Sequence, residues 1–323
     1  MSLVDHPELD GHYDDVLDSL RYDSVVPLLG AGANLCSRGE HERWEPGNGL
    51  LPSGAELARH LAEAFRYPEG ENADDLLRVA QFVQARRGDG PLYNHLHRIF
   101  AAAYRPTLLH RFLASLPRRL EDAGHGRRHQ LIMTTNYDDA LEQAFDDAGE
   151  TYDVVYYRLG RSEGRHVANC WHRPPGGEPI CIRQPRRYMD LDVERRTVIL
   201  KVHGAVDRDE TTARNDCYVI SEDHYIEFLN RLSLSDVVPA PLLATLCDSN
   251  FLFLGYRLQD WNLRVVLHQI WTRRDRRYDS WAIQLDVDTV DRTLWDARGV
   301  RLLEVPLSDY VAELEERLEG VAT

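Results

Sequence analysis

The feature that most constrains the fold is an apolar run that stops at a cluster of polar residues. The run Leu131–Met133 is followed within a few positions by Thr135, Asn136 and Asp138, and a helical apolar pattern then begins at Ala140. This pattern predicts a buried strand that leads directly into a helix. In open α/β sheets, ligands bind at the carboxyl ends of the strands. An amide and a carboxylate placed there can bind sugar hydroxyls and position a water, although both side chains also cap helices.

A second apolar run, at 25–29, ends in the glycine turn Gly30-Ala31-Gly32. Glycine has no Cβ, so a phosphate can approach its backbone closely, and amides at the start of a following helix can hold a diphosphate. The dinucleotide-binding fingerprint of dehydrogenases requires a third glycine three residues after the second. Leu35 occupies that position, so the turn is not an ordinary Rossmann dehydrogenase motif.

Two further apolar runs end in the same way. The run 197–202 is followed by His203, and the run 251–254 is followed by Gly255 and Tyr256. A histidine at a strand end suits acid–base chemistry because its unperturbed pKa lies near neutrality. The alternative is a structural histidine that is hydrogen-bonded in a turn. Four strands that end in Gly, Asn or His together predict one shared ligand-binding edge.

Strand patterns alternate with helical patterns along most of the chain. This alternation predicts an α/β fold with a Rossmann-like, doubly wound parallel sheet, formed by a single domain over residues 1–323. A block of helical patterns at about 53–120 interrupts the alternation and is predicted to be a helical insertion. Residues at about 158–196 are rich in Arg, Pro and Gly, and they are predicted to form an irregular loop. A short strand is predicted at 217–220.

Composition narrows the classes of function. The net charge is −15, with 38 basic and 53 acidic residues, which argues against direct nucleic-acid binding. No apolar run approaches the roughly 18 residues that span a bilayer, and the N-terminus does not resemble a signal peptide. Five cysteines without framework spacing fit a reducing compartment. We therefore expect a cytoplasmic protein that does not associate with membranes.

In their order and spacing, these segments resemble the sirtuin-like family of NAD-consuming proteins, from about residue 23 to residue 305. The turn at 30–32 resembles the family's nucleotide-binding glycine turn, with Asn34 where sirtuins usually carry Ser. The segment at 135–138 resembles the catalytic T-x-N-x-D loop, and the segment at 201–204 resembles the one that carries the catalytic histidine. The segment at 255–260 resembles the later glycine turn that closes over the adenosine half of NAD.

Two departures from the family pattern point to one branch of it. Sirtuins that deacylate proteins usually carry a four-cysteine zinc ribbon, but this chain has no C-x-x-C pair. Cys170, His172 and Cys181 could supply three zinc ligands, but a fourth is missing, so no metal is expected. The G-I-P-D-F-R continuation is replaced by the segment at 49–57. This variant is similar to bacterial sirtuin-like effectors of phage defence, which hydrolyse NAD.

The resemblance implies an NAD+ glycohydrolase, or NADase, that gives nicotinamide and ADP-ribose. Asn136 would hold a water or a ribose hydroxyl, Asp138 would accept from the ribose or stabilise positive charge, and His203 would act as general base. The residues expected to bind NAD are Gly30, Ala31, Gly32, Asn34, Thr135, Gly255, Tyr256 and, for the adenosine ribose, Asp286. For Asn34, capping of the following helix is the alternative. The alternative functions are an NAD-dependent protein deacylase and a non-catalytic NAD or ADP-ribose sensor.

The resemblance also implies regulation, because unrestrained NAD destruction is toxic. We expect a homo-oligomer or a separately encoded activator, since related proteins pair with HerA-type ATPases, Argonaute-type proteins or other sensors. No sensor domain is recognisable beyond residue 305, which favours a separate partner.

Overall fold

The computed structural model describes residues 7–162, 165–208, 212–230, 234–256, 261–273, 279–285 and 287–320. Within these ranges, nine strands form one sheet in the order β5-β4-β3-β6-β2-β1-β7-β8-β9. The strands are β1 (Val25–Leu29), β2 (Leu131–Thr134), β3 (Tyr152–Ser162), β4 (Arg165–Arg173), β5 (Ile180–Ile182), β6 (Thr197–Lys201), β7 (Asn250–Leu254), β8 (Ser280–Ile283) and β9 (Val300–Leu303).

The helices lie between and around these strands. In the described ranges they are α1 (Pro7–Arg21), α2 (Gly54–Phe65), α3 (Leu76–Arg87), α4 (Asp89–Phe100), α5 (Leu108–Asp122), α6 (Ala140–Ala148), α7 (Glu222–Asn230), α8 (Leu234–Val237), α9 (Ala240–Asp248), α10 (Trp261–Trp271), α11 (Thr289–Asp296) and α12 (Leu307–Gly320). Short 3₁₀ helices span Ala31–Leu35 and Pro185–Arg187. None of these described helices is both long enough and apolar enough to cross a membrane.

The central part of the sheet is parallel. Strands β3, β6, β2, β1, β7, β8 and β9 pair in parallel, and β4 and β5 add an antiparallel edge. This arrangement confirms the predicted Rossmann-like α/β fold. After β6 the chain crosses from the β2 side of β1 to its β7 side. Such a reversal opens a crevice at the carboxyl ends of the strands, where doubly wound folds bind ligands.

Burial on both faces explains the unbroken apolar runs of the central strands. All five residues of β1 and of β6 are buried. Helices α1, α5, α6 and α12 cover one face, and α7 to α11 cover the other. A strand with helices on both faces has no solvent side, so its apolar residues do not alternate with polar ones.

Four helices, α2 to α5, lie between β1 and β2. Helix α2 begins with a capping box. Ser53 Oγ accepts from Glu56 N at 3.2 Å, and the Glu56 carboxylate accepts from Ser53 N at 2.8 Å. The apolar core of α2 to α4 is continuous with Val206 and Tyr218, which lie beyond β6. The helical block therefore packs directly on the segment that follows His203.

The structure corrects two predictions. The stretch at about 158–196 is not irregular throughout, because β3 extends to Ser162 and pairs antiparallel with β4, which pairs with β5. Hydrogen bonding at the edge of an existing sheet forms these strands without an apolar pattern in the sequence. Residues 217–220 are not a strand of the sheet. Their backbone instead pairs with the turn after β6, where Val219 N donates to His203 O at 2.9 Å.

Candidate functional site

The turns that follow β1, β2, β6 and β7 surround one cavity of about 360 Å³. The sequence-predicted residues that line it are Ala31, Gly32, Asn34, Thr135, Asn136, Asp138, His203, Gly255 and Tyr256. Gly30 lies next to the cavity, where its carbonyl accepts a hydrogen bond from Asn136. Asp286 lies outside the described residues. The fold thus brings candidate residues from four separate segments to one surface.

Asn136 is held in one orientation by the turn after β1. Its Nδ2 donates to Gly30 O at 3.0 Å, and its backbone N donates to Thr134 Oγ1 at 3.0 Å. A carbonyl oxygen can only accept, so the amide nitrogen must face Gly30. The side-chain oxygen of Asn136 is therefore the atom that remains for a ligand in the cavity, and it is an acceptor.

Asp138 lines the cavity and also caps a helix. The residue is 4% exposed, and its Oδ1 accepts from Ala140 N at 3.2 Å, at the start of α6. Its Oδ2 accepts from Asn34 Nδ2 at 2.8 Å. Burial raises the pKa of Asp138, while the positive charge of Lys201 and the Asn34 hydrogen bond act in the opposite direction. Capping and a role in the cavity are therefore compatible.

Asn34 does not cap the helix that follows β1, which was the alternative considered from the sequence. It lies inside the 3₁₀ helix Ala31–Leu35, and its side chain reaches the turn after β2 to bind Asp138. Its Oδ1 is buried and has no protein hydrogen-bond partner among the described residues. Asn34 thus joins the two turns and presents a buried acceptor beside the cavity.

His203 is held in the wall of the same cavity. The residue is 2% exposed, and the rings of Tyr225 and Phe228 meet its ring edge-on, with centroids at 5.3 and 5.6 Å. Gly204, at φ +95°, follows it, and a Cβ there would lie 2.1 Å from Cys217 O. Only glycine fits this position, so the turn after β6 holds the imidazole in a defined place.

The glycines after β1 and β7 allow two turns to touch. Gly32 N donates to Gly255 O at 2.8 Å, and a Cβ on Gly32 would lie 2.6 Å from the same oxygen. Gly255 adopts φ +65°, and a Cβ there would lie 2.2 Å from Ala33 N. The backbone N–H groups of Gly30, Gly32 and Ala33 all donate within the protein. These three N–H groups are therefore not free to hold a diphosphate, contrary to what the glycine turn suggested.

A second cavity of about 420 Å³ lies on the other side of the same contact. It shares Gly32, Gly255 and Tyr256 with the first cavity and extends to Gln284 at the end of β8. The Gln284 side-chain oxygen has no hydrogen-bond partner among the described residues. Gln284 was not predicted from the sequence as a site residue, although it is a polar residue that follows an apolar strand, as at the other strand ends.

The three residues that were considered as zinc ligands, Cys170, His172 and Cys181, are not arranged to hold a metal ion. His172 uses both ring nitrogens within the protein, since Nε2 lies 2.8 Å from Asp153 Oδ1 and Nδ1 lies 2.6 Å from Tyr188 OH. Across the described part of the chain, no group of three or more His, Cys, Asp or Glu side chains is arranged to hold a metal ion.

Two proteins of known name are similar to this chain over most of its length. The chain is 25% identical to the NAD(+) hydrolase ThsA of Acinetobacter baumannii (strain 532279) over 242 residues, which are 74% of this chain and 38% of that protein. It is also 25% identical to the NAD(+) hydrolase ThsA of Cytobacillus dafuensis over 257 residues, which are 79% of this chain and 40% of that protein. The chain thus spans about two fifths of the length of these relatives.

A family model described as a SIR2-like domain matches residues 130–303, more than half of the chain. The matched segment contains Asn136, Asp138, His203, Gly255 and Gln284. On this match, and on its agreement with the fold, the chain belongs to the SIR2-like domain family.

Proposed function

We propose that this protein is an NAD+ glycohydrolase that cleaves the bond between nicotinamide and ribose to give nicotinamide and ADP-ribose. The observation that carries the proposal is the convergence of Asn136, Asp138 and His203 on one cavity at the switch point of the sheet. Two relatives that align with 74% and 79% of the chain are named NAD(+) hydrolases, which supports the same reaction.

The two adjoining cavities match the two halves of a dinucleotide. The cavity with Asn136, Asp138 and His203 would take the nicotinamide ribose, and the cavity with Gln284 would take the adenosine. They meet at Gly32 and Gly255, where the diphosphate would cross. Because these glycines have no side chains, the ligand can pass close to the backbone at the crossing.

The chemistry requires little acid catalysis. As the C–N bond breaks, both bonding electrons move to the pyridinium nitrogen, so nicotinamide leaves as a neutral molecule. The ribose becomes an oxocarbenium-like cation, which the nearby carboxylate of Asp138 stabilises. A water then adds to C1′ of the ribose and transfers its proton to His203. The side-chain oxygen of Asn136 accepts from that water or from a ribose hydroxyl and fixes its position.

The family resemblance also suggests a biological setting. NAD depletion by a cytoplasmic, homo-oligomeric effector would serve bacterial anti-phage defence. A separately encoded activator, such as a HerA-type ATPase, would keep the activity under control.

The test is product analysis after incubation of the purified protein with NAD, with and without an acetyl-lysine peptide. A glycohydrolase gives nicotinamide and ADP-ribose in equal amounts whether or not the peptide is present. Release of nicotinamide only with the peptide, together with deacetylated product, would instead show a deacylase. Stable binding of NAD that is recovered intact, alone and with the product of a neighbouring gene, would show a sensor.

A further inference from the structure

We propose that Lys201 is a positioning residue that fixes the turn carrying Asn136 and Asp138, acting as a pair with Glu142. Lys201 is the only lysine in the chain, and the other 37 basic Lys or Arg positions are all arginine. It ends β6, two residues before His203, and is 1% exposed. The kinetic consequences of this inference rest on the proposed function, but the contact itself does not.

The ammonium group of Lys201 bridges three elements. Its Nζ lies 2.7 Å from Glu142 Oε1, in the first turn of α6, and it donates to the backbone carbonyl of Asp138. Glu142 is buried as well, and its Oε2 has no protein partner among the described residues. One cation thus connects the end of β6 to the turn after β2 and to the helix that the turn leads into.

Stability alone is a poor explanation for this pair. Burying two charges costs several kcal/mol in desolvation, and replacing a buried ion pair by apolar residues is often neutral or stabilising. Arginine presents a rigid planar fork, whereas the lysine ammonium is a compact point charge on a flexible stem. A point charge fits the position between one carbonyl and one carboxylate. A costly group at this place therefore indicates a role in the adjacent cavity.

The pair also sets the electrostatic environment of Asp138. Burial raises the pKa of this carboxyl, and the Lys201 charge is the leading influence that lowers it. Removal of the charge should move the titration of Asp138 to higher pH. The titratable groups that act on Asp138 are Lys201 on β6, Asp139 beside it and Tyr104 before α5, and His203 lines the same cavity. Glu142 on α6 and His110 on α5 interact with Lys201.

The kinetic test uses the double variant Lys201→Met with Glu142→Leu, which replaces the pair by apolar side chains. We expect the unfolding midpoint to stay close to that of the parent. We expect kcat for NAD cleavage to fall by about 100-fold, since a misplacement of about 1 Å has an effect of that size. KM should change little, and the acidic limb of the pH profile should move to higher pH. Parental kcat with a parental pH profile in the folded variant would show that the pair is only structural.

Two further variants complete the comparison. Lys201→Arg keeps the positive charge. The acidic limb of its pH profile should therefore lie at the same pH as in the parent, even though the larger side chain alters the turn. A shift of the acidic limb to higher pH in Lys201→Arg would contradict an electrostatic role of Lys201. Arg78→Met removes an exposed ion pair with Glu71, at 3.0 Å, and should leave the kinetics unchanged.

The contact can also be tested without NAD. Lysine labelled with ¹³C at Cε gives one side-chain signal, because the chain has a single lysine. We expect this signal to shift as the Asp138 carboxyl titrates, and we expect that step to be absent from Asp138→Asn. Identical titration curves in the two proteins would overturn the inference. Failure of this test is distinct from failure of the proposed function, because the test involves no turnover.

Discussion

The side-chain amide of Asn34 donates a 2.8 Å hydrogen bond to the carboxylate of Asp138, across 104 positions of sequence. The bond joins the turn after β1 to the turn after β2, and both side chains line the cavity. Asn136 makes a second connection between the same turns through Gly30 O. The glycine turn and the polar turn therefore act as one unit, and a change in either should affect both nucleotide binding and catalysis.

Asp138→Asn should lower the activity without lowering the stability of the protein at pH 7. Burial raises the pKa of Asp138, so the ionised form is penalised in the folded state above that pKa, and the penalty disappears as pH falls through it. The new amide nitrogen must face Asn34, whose own amide can turn so that its unpaired Oδ1 accepts the bond. With this exchange the variant should be at least as stable as the parent at pH 7, and its advantage should shrink in acid. Nicotinamide release should fall by about 100-fold. Chemical denaturation at several pH values checks this, and a variant that is less stable at pH 7 would contradict it.

Gly32→Ala should force the turns after β1 and β7 apart. A Cβ at Gly32 would lie 2.6 Å from Gly255 O, so the backbone must shift, at a cost of about 1–3 kcal/mol. The matched control is Gly90→Ala in α4, where nothing lies within 4 Å of the new Cβ. That control should gain about 0.5–1 kcal/mol. Denaturant unfolding measures both values, and equal effects would contradict the close contact.

Glu56→Gln should weaken the loop that leads into α2. Burial acts to raise the pKa of Glu56, but Arg38 and the amides of Ser53 and Trp44 lower it to about 2. A lowered carboxyl pKa stabilises the fold above the unfolded value of 4.5, and this contribution is lost as pH falls towards 2. We expect a loss of about 2 kcal/mol at pH 7. Variant and parent should converge as the pH falls to about 2, and a difference that is constant with pH would contradict this.

Gln284→Ala should affect binding more than chemistry. Gln284 lines the cavity assigned to the adenosine, beyond the contact between Gly32 and Gly255. An interaction made equally in the ground state and the transition state changes KM without changing kcat. We expect KM for NAD to rise by about tenfold with kcat unchanged. A fall in kcat with a parental KM would place Gln284 in the chemical step instead.

The sequence identifies the parts of the site that are local patterns. An apolar run that ends in Gly, Asn or His can be recognised in isolation, and the strand ends at Asn136, His203 and Gly255 were located in this way. The bond from Asn34 to Asp138 could not be predicted, because it depends on the packing of distant turns. The pairing of β4 at the sheet edge was missed for a similar reason. Its backbone hydrogen bonds require a neighbouring strand, not an apolar pattern.

The contacts of Lys201 could not be predicted from the sequence. Its position at the end of an apolar strand gives no local pattern that indicates a buried ion pair. Its burial and its bond to Glu142 become visible only when β6 lies beside α6. Long-range contacts of this kind determine which polar residues act on the cavity.

The most direct test of the account is nicotinamide release from NAD by the parent protein, Asn136→Ala and His203→Ala under identical conditions. The control is Asn94→Ala, which changes an exposed residue of α4. We predict release by the parent and the control, and a fall of about 100-fold to 1,000-fold in both site variants, with unfolding midpoints that show folded protein. Release at the parental rate by the folded Asn136→Ala and His203→Ala variants would contradict the assignment of this cavity as the site of NAD cleavage.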